Sequence, residues 1–154
     1  MRVFHTTPSD ATQRHAALER LQAGVMKLRA RQGGEMGFED FENELHALFM
    51  AAEREILAQE LERLDVNEPQ LMIGGQLHHR VLRSAQTYTS AAGPVSVSRT
   101  LYRRGREPAV VPLELRGGVV AGHFTPRAAR QGLWAVAHLT PRGEPKACFG
   151  RWAT

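Results

Sequence analysis

The chain has little cysteine, almost no lysine, no long apolar run and, in its second half, hardly any acid. Cys148 is its only cysteine. A single thiol forms no internal disulfide, and without paired cysteines the usual structural zinc plans are excluded. A reducing compartment, the cytoplasm, fits both facts. No stretch approaches the roughly 18 consecutive apolar residues of a spanning helix, and Met1 to Asp10 lacks the basic and then apolar plan of a signal peptide. No membrane partner is expected. Lysine occurs only at positions 27 and 146. The positive charge is therefore nearly all arginine, whose planar fork matches phosphate and guanine edges better than a lysine point charge does.

The scarcity of acid is local. Residues 1–70 carry 8 Lys and Arg against 13 Asp and Glu, a net of −5, whereas residues 71–154 carry 12 against 3, a net of +9. The formal charge of +4 over 154 residues conceals that division. A hydrophobic fraction of 42% and a charged fraction of 23% are ordinary globular values, and the length suits one domain or a helical arm with a small folded unit. An acidic partner for the basic half is the first expectation.

Helical periodicity comes first along the chain. Ser9 or Asp10 can cap a helix running to about Arg31, with Leu18, Leu21, Val25 and Leu28 as a narrow stripe. The glycines of "RQGGEMG" end it. Phe38, Phe41, Leu45, Leu48, Ala52, Ile56, Leu61 and Leu64 then mark a longer helix to about Asp65, with Glu39, Asp40, Glu42 and Glu44 in its first turns, where the helix dipole favours negative charge. Residues 1–66 read as a helical hairpin. Its spacing permits either internal pairing of the two helices or a coiled coil between chains, which would make a homodimer through residues 38–64.

"DVNEPQ" is the expected boundary, with turn residues, a proline and a change of charge sign. Beyond it the period becomes two. "LMIGGQLHHRVL" predicts a hairpin turning at Gly74 and Gly75. "TYTSAAGPVSVSRTLYRR" predicts two strands, the second with Val95, Val97 and Leu101 on one side and Arg99 interrupting them. "AVVPLELR", Ala109 to Arg116, reads as a further strand in which Pro112 implies an edge or a bulge. Thr125 and Pro126 start a helix with Ala129, Leu133, Trp134 and Val136 on its apolar side, placed to cover the sheet. The expected class is α+β: an N-terminal helical hairpin, then a small antiparallel sheet covered by one C-terminal helix over residues 71–140, and an irregular tail, 141–154.

Chemistry-bearing residues are sparse. His78 and His79 are neighbours on a strand and leave opposite faces, so they do not share an ion. His123 and His138 flank the last helix without a third ligand. Cys148 has no histidine near it in sequence to activate it, and most carboxylates lie on the acidic helix, where Glu53, Arg54 and Glu60 read as a solvated face. Only Glu107, Glu114 and Glu144 occur in the basic half. "RQGGEMG" and "LRGGVVAG" lack the strand, helix and lysine context of a phosphate loop. No catalytic residue, metal or cofactor is expected.

What remains is the arginine population. Arg80, Arg83, Arg99, Arg103, Arg104, Arg106, Arg116, Arg127 and Arg130 decorate three strands and the start of one helix, and a shared face would be the footprint of a DNA-binding surface. Arg99 is either aimed into a groove or paired with Glu114 on a neighbouring strand. The bland alternative is a soluble surface with ordinary counterions.

"FEDFENELHALFMAAEREILAQELERLDV", "VLRSAQTYTSAAGPVSVSRTLYRR" and "VPLELRGGVVAGHFTPRAARQGLWAVAHLTP" together resemble the N-terminal region of bacterial insertion-sequence transposases of the Kra group, over roughly Phe38 to Pro141. The resemblance implies a region that engages transposon ends and helps assemble the complex, ahead of a ribonuclease-H-like domain with an acidic triad. The chain stops where such a protein would continue toward that triad, so cleavage and strand transfer are not expected of it, and a truncated or remnant product is. The rival expectation is a protein-interaction module, or an oligomerising inhibitor of full-length transposase, whose acidic helix and basic sheet neutralise each other.

Overall fold

The computed structural model describes residues 8–31, 34 and 36–138. The expected irregular tail, with Glu144, Cys148, Phe149 and Trp152, lies outside them. Four helices and three strands follow in the order α1 (Pro8–Arg31), α2 (Phe38–Arg63), β1 (Gln70–Ile73), β2 (Gln76–Ser90), β3 (Gly93–Arg103), α3 (Pro112–Gly117) and α4 (Pro126–His138). The strands form one antiparallel sheet in the order β1-β2-β3. The class is α+β.

Both hairpins turn where the sequence puts them. Gly74 and Gly75, with φ of 58° and 77°, make the two-residue turn between β1 and β2, a backbone that glycine alone adopts without strain. At the other hairpin the Ser90 hydroxyl donates to the Gly93 carbonyl at 2.7 Å and accepts from the Ala92 amide at 3.1 Å.

α1 and α2 pair with each other, the internal arrangement of the two considered. Ala17 and Leu28 are buried at their contact, and a Cβ at Gly24 would stand 2.7 Å from a Leu48 methyl, so the missing side chain lets the helices approach closely. Arg20 pairs with Glu55, and Arg31 with Glu44 at 2.8 Å. Leu18 falls outside the stripe and is exposed, because the contact follows Ala17, Leu21, Gly24 and Leu28 instead.

The second half of α2 belongs to the core. Leu61 is buried with Tyr88, Val95, Val97, Val111 and Leu113, and Leu57, Ala58, Leu64, Leu101 and Val119 pack around them. The structure departs from the sequence pattern at two places. Ala109 to Arg116 is not a strand: only Val110 bridges to Tyr102, after which Pro112 opens α3 at its first helical position and Gly118, at φ 61°, ends it. The fixed φ of proline suits a helix start as well as an edge strand, and a run this short does not distinguish them by period. Nor does α4 cover the sheet. It has no buried residue, and Leu133 and Val136 are 72% exposed and Trp134 60%. The inner face is already filled by α2 and α3, so α4 sits at the end of β2, where the amide of Thr125, just before the helix, donates to the Thr89 carbonyl at 3.0 Å.

The segment "DVNEPQ", which separates α2 from β1, lies as a strap across the sheet's other face. The Tyr102 hydroxyl lies 2.9 Å from the Val66 carbonyl and 2.8 Å from that of Glu68, and Asp65 accepts from the Thr100 amide at 3.0 Å and hydroxyl at 2.7 Å. The same carboxylate, with Glu62 accepting from the Ser98 amide at 2.8 Å, occupies the open edge of β3, whose next amide, Tyr102, is taken by Val110. Two acids of the helix end thus satisfy edge donors that would otherwise template another strand. Replacing Asp65, whose side chain is 3% exposed, by alanine orphans two donors and should lower stability by about 2–4 kcal/mol. Urea denaturation measures this; a loss under about 0.5 kcal/mol, the range of neutral surface changes, would mean the strap is not held there.

Candidate nucleic-acid interface

Between Glu68 and Glu107 the sequence contains no acid, and that interval holds all three strands and six of the arginines. Strand register decides how those arginines are arranged. β2 places Arg80 opposite Tyr102, His79 opposite Arg103 and Arg83 opposite Thr100, and a bulge interrupts the ladder between Arg80 and Leu82. The loop after β3 adds Arg104 and Arg106. One end of the sheet therefore gathers Arg80, Arg103, Arg104, Arg106 and His79.

Arg99 is not among them. It points into the core, its side chain 19% exposed, paired with Glu114 and donating to the Gln86 amide oxygen at 3.1 Å. Glu114 also accepts from the Tyr88 hydroxyl at 2.8 Å. The ion pair of the two readings is the one formed, with Glu114 on α3 rather than on a strand. Burial, reinforced by the bond to Glu114, raises the Tyr88 hydroxyl well above its ordinary pKa of 10.0.

The remaining arginines differ in how much of their charge is spent. Arg104 binds Glu107, its Nη2 2.5 Å from the carboxylate; that hydrogen bond holds Glu107 below its usual carboxylate range and raises Arg104. Arg83 stands 3.8 Å from Asp65 and Arg127 3.8 Å from Glu53. Two use neutral acceptors: Arg80 donates to the Asn67 side chain at 2.9 Å and Arg116 to the Leu64 carbonyl at 3.3 Å. Arg103, Arg106 and Arg130 are exposed and have no ion pair or hydrogen bond among the described residues.

These positions do not converge into one patch. α4, with Arg127 and Arg130, starts beside Thr89, nine residues along β2 from Arg80, which at about 3.3 Å per residue is roughly 30 Å. The sheet end with Arg103 and Arg106 is one cationic group and the α4 start a second. The row Gln70, His79 and Arg103 across three strands was not evident from the sequence, because cross-strand neighbours depend on register and the bulge shifts it.

Among the described residues no group of three or more His, Cys, Asp or Glu could hold a metal ion, and no helix is long and apolar enough to cross a membrane. No protein-family model, curated protein or solved structure matches the chain.

Proposed function

We propose that the sheet end formed by Arg80, Arg103, Arg104 and Arg106 with His79 binds the phosphate backbone of double-stranded DNA, and that the chain is a DNA-binding or assembly module without strand-cleaving chemistry. The observation that carries this reading is the pair Arg103 and Arg106, exposed and without an ion pair among the described residues, at one end of a sheet whose strands contain no acid. The resemblance to the N-terminal region of insertion-sequence transposases supports it and makes transposon ends the natural ligand. Each arginine that neutralises a phosphate releases counterions, so the logarithm of affinity falls with the logarithm of salt by about 0.9 per phosphate contacted.

Titration of a labelled duplex at several salt concentrations tests the assignment. Arg103→Ala with Arg106→Ala should weaken binding about tenfold or more at low salt and reduce the salt slope by about 2. Both side chains are exposed, so the variant should melt like the parent. An unchanged affinity and slope would remove the site.

A second reading, assembly through protein contacts, is favoured by a different observation: acids of α2 and its C-terminal end already meet basic side chains of the sheet and α4 in the pairs Arg83–Asp65 and Arg127–Glu53, while Leu18, Met26 and Phe49 leave apolar surface on the helical arm. A homodimer through residues 38–64 belongs to this reading, as does inhibition of an intact transposase through mixed oligomers. Sedimentation of the chain alone, beside the DNA titration, separates the two: a stable dimer without duplex binding favours assembly.

A further inference from the structure

The β1–β2 hairpin reaches beyond the core. The bulge at Arg80–Leu82 marks where β2 leaves the part of the sheet that α2 and α3 cover, and nothing lies within 4 Å of a Cβ placed on Gly74 or Gly75 at the tip. On the open face of this ribbon, opposite the one on which His78 is buried, Met72 and Leu77 are directly opposed across the two strands and are 60% and 44% exposed. They occupy the same face as the row Gln70, His79 and Arg103, which lies two residues further back, about 7 Å along the strands. An apolar pair thus leads, a polar row with the Arg103 cation follows, and there is no carboxylate anywhere on the three strands.

We propose that this ribbon enters the minor groove of the bound duplex and inserts Met72 and Leu77 against a base step, bending the DNA, while Arg103 and His79 meet the flanking phosphates. The inference rests on the DNA-binding reading above. Its physical basis is charge and shape together. A two-stranded ribbon is a known form of groove reader. Proteins that kink DNA through the minor groove do so with a few apolar wedges, methionine and leucine among them, backed by basic side chains that hold the phosphates. Unstacking a step costs a few kcal/mol, which is offset when the bent duplex brings more phosphate into reach. Here the bend would turn the backbone toward Arg103 and Arg106. Two apolar side chains on this face suffice for a wedge; stable anchoring on a lipid surface takes a broader apolar face.

The experiment uses the whole chain, a 30-base-pair duplex with a fluorescence donor and acceptor at its ends, and the variant Met72→Ser with Leu77→Ser. The parent should bring the ends closer on binding. The variant should still bind, within about threefold of the parent and with the same salt slope, but leave the duplex straight, whereas Arg103→Ala with Arg106→Ala should weaken binding itself about tenfold or more and lower the salt slope by about 2. A parent that binds without shortening the end-to-end distance, or a serine variant that bends DNA as the parent does, overturns the wedge and leaves the DNA-binding reading standing. A parent that binds no duplex overturns both. Partition of the parent into vesicles containing phosphatidylserine, lost in the serine variant and unaccompanied by DNA bending, would assign the ribbon to a membrane and overturn the wedge as well. Both substituted side chains are exposed, so an unchanged thermal melt confirms that the fold is intact.

Discussion

Replacing Arg99 by methionine should lower the unfolding free energy by about 3–5 kcal/mol, the usual cost of removing one member of an enclosed ion pair. The change leaves the Glu114 carboxylate, its side chain one fifth exposed, with the Tyr88 hydroxyl as its remaining bond, and strips the Gln86 amide oxygen of its donor. The penalty comes from the unpaired charge more than from the lost attraction. Replacing Glu114 by leucine as well should therefore recover a large part of the stability, since the pair as a whole offsets its own desolvation cost only partly. Urea unfolding of the two single variants and the double variant measures the coupling. Single losses that simply add in the double variant would show that the two side chains do not act as a pair. Neither substitution touches Arg103 or Arg106, so duplex binding by whatever remains folded should be unchanged.

The second large effect is alkaline. The chain has two tyrosines, Tyr88 and Tyr102, and both are fully enclosed. Burial is the leading cause that raises each hydroxyl above 10.0. In the unfolded chain both ionise near pH 10; in the fold each holds its proton to higher pH. The unfolded state therefore loses protons that the native state keeps, and stability is fully present below about pH 10 and falls above it. The slope approaches about 1.4 kcal/mol per pH unit for each hydroxyl still protonated in the fold. Absorbance of tyrosinate near 295 nm, followed with circular dichroism, should show ionisation displaced above pH 10, with loss of secondary structure accompanying the rise in tyrosinate. A smooth titration centred near pH 10 in a still-folded protein would place a tyrosine in water and contradict the strap that holds Tyr102.

Much of the fold was legible because it follows local rules. Two glycines in sequence announced the β1–β2 turn, the alternation of Val95, Val97 and Leu101 marked a strand with one buried face, and Thr125–Pro126 began a helix. The sequence is ambiguous where one local pattern serves two structures. Pro112 fits a helix start and an edge strand equally, and only its burial with Val111 and Leu113 against α2 selects the helix. An amphipathic helix such as α4 advertises an apolar side but does not name the surface that side meets. In sequence the strap looks like a boundary because Asp, Asn and Pro favour irregular backbone, and composition does not reveal that this backbone is pinned by Tyr102 and Thr100.

For the arginines the division is sharper. The sequence by itself determined that the strands carry positive charge without acid, that this charge is arginine, and that any partner attracted to it must be anionic, because charge is a property of composition and survives any folding. Which of those charges reach solvent was decided only by the tertiary structure. Register set Arg103 beside His79, the core took Arg99 for Glu114, and the helix end and α2 set Asp65 and Glu53 near Arg83 and Arg127. Each of these is a contact between residues distant in the chain, and distance in sequence says nothing about the low-dielectric neighbourhoods in which a charge is cancelled or left free.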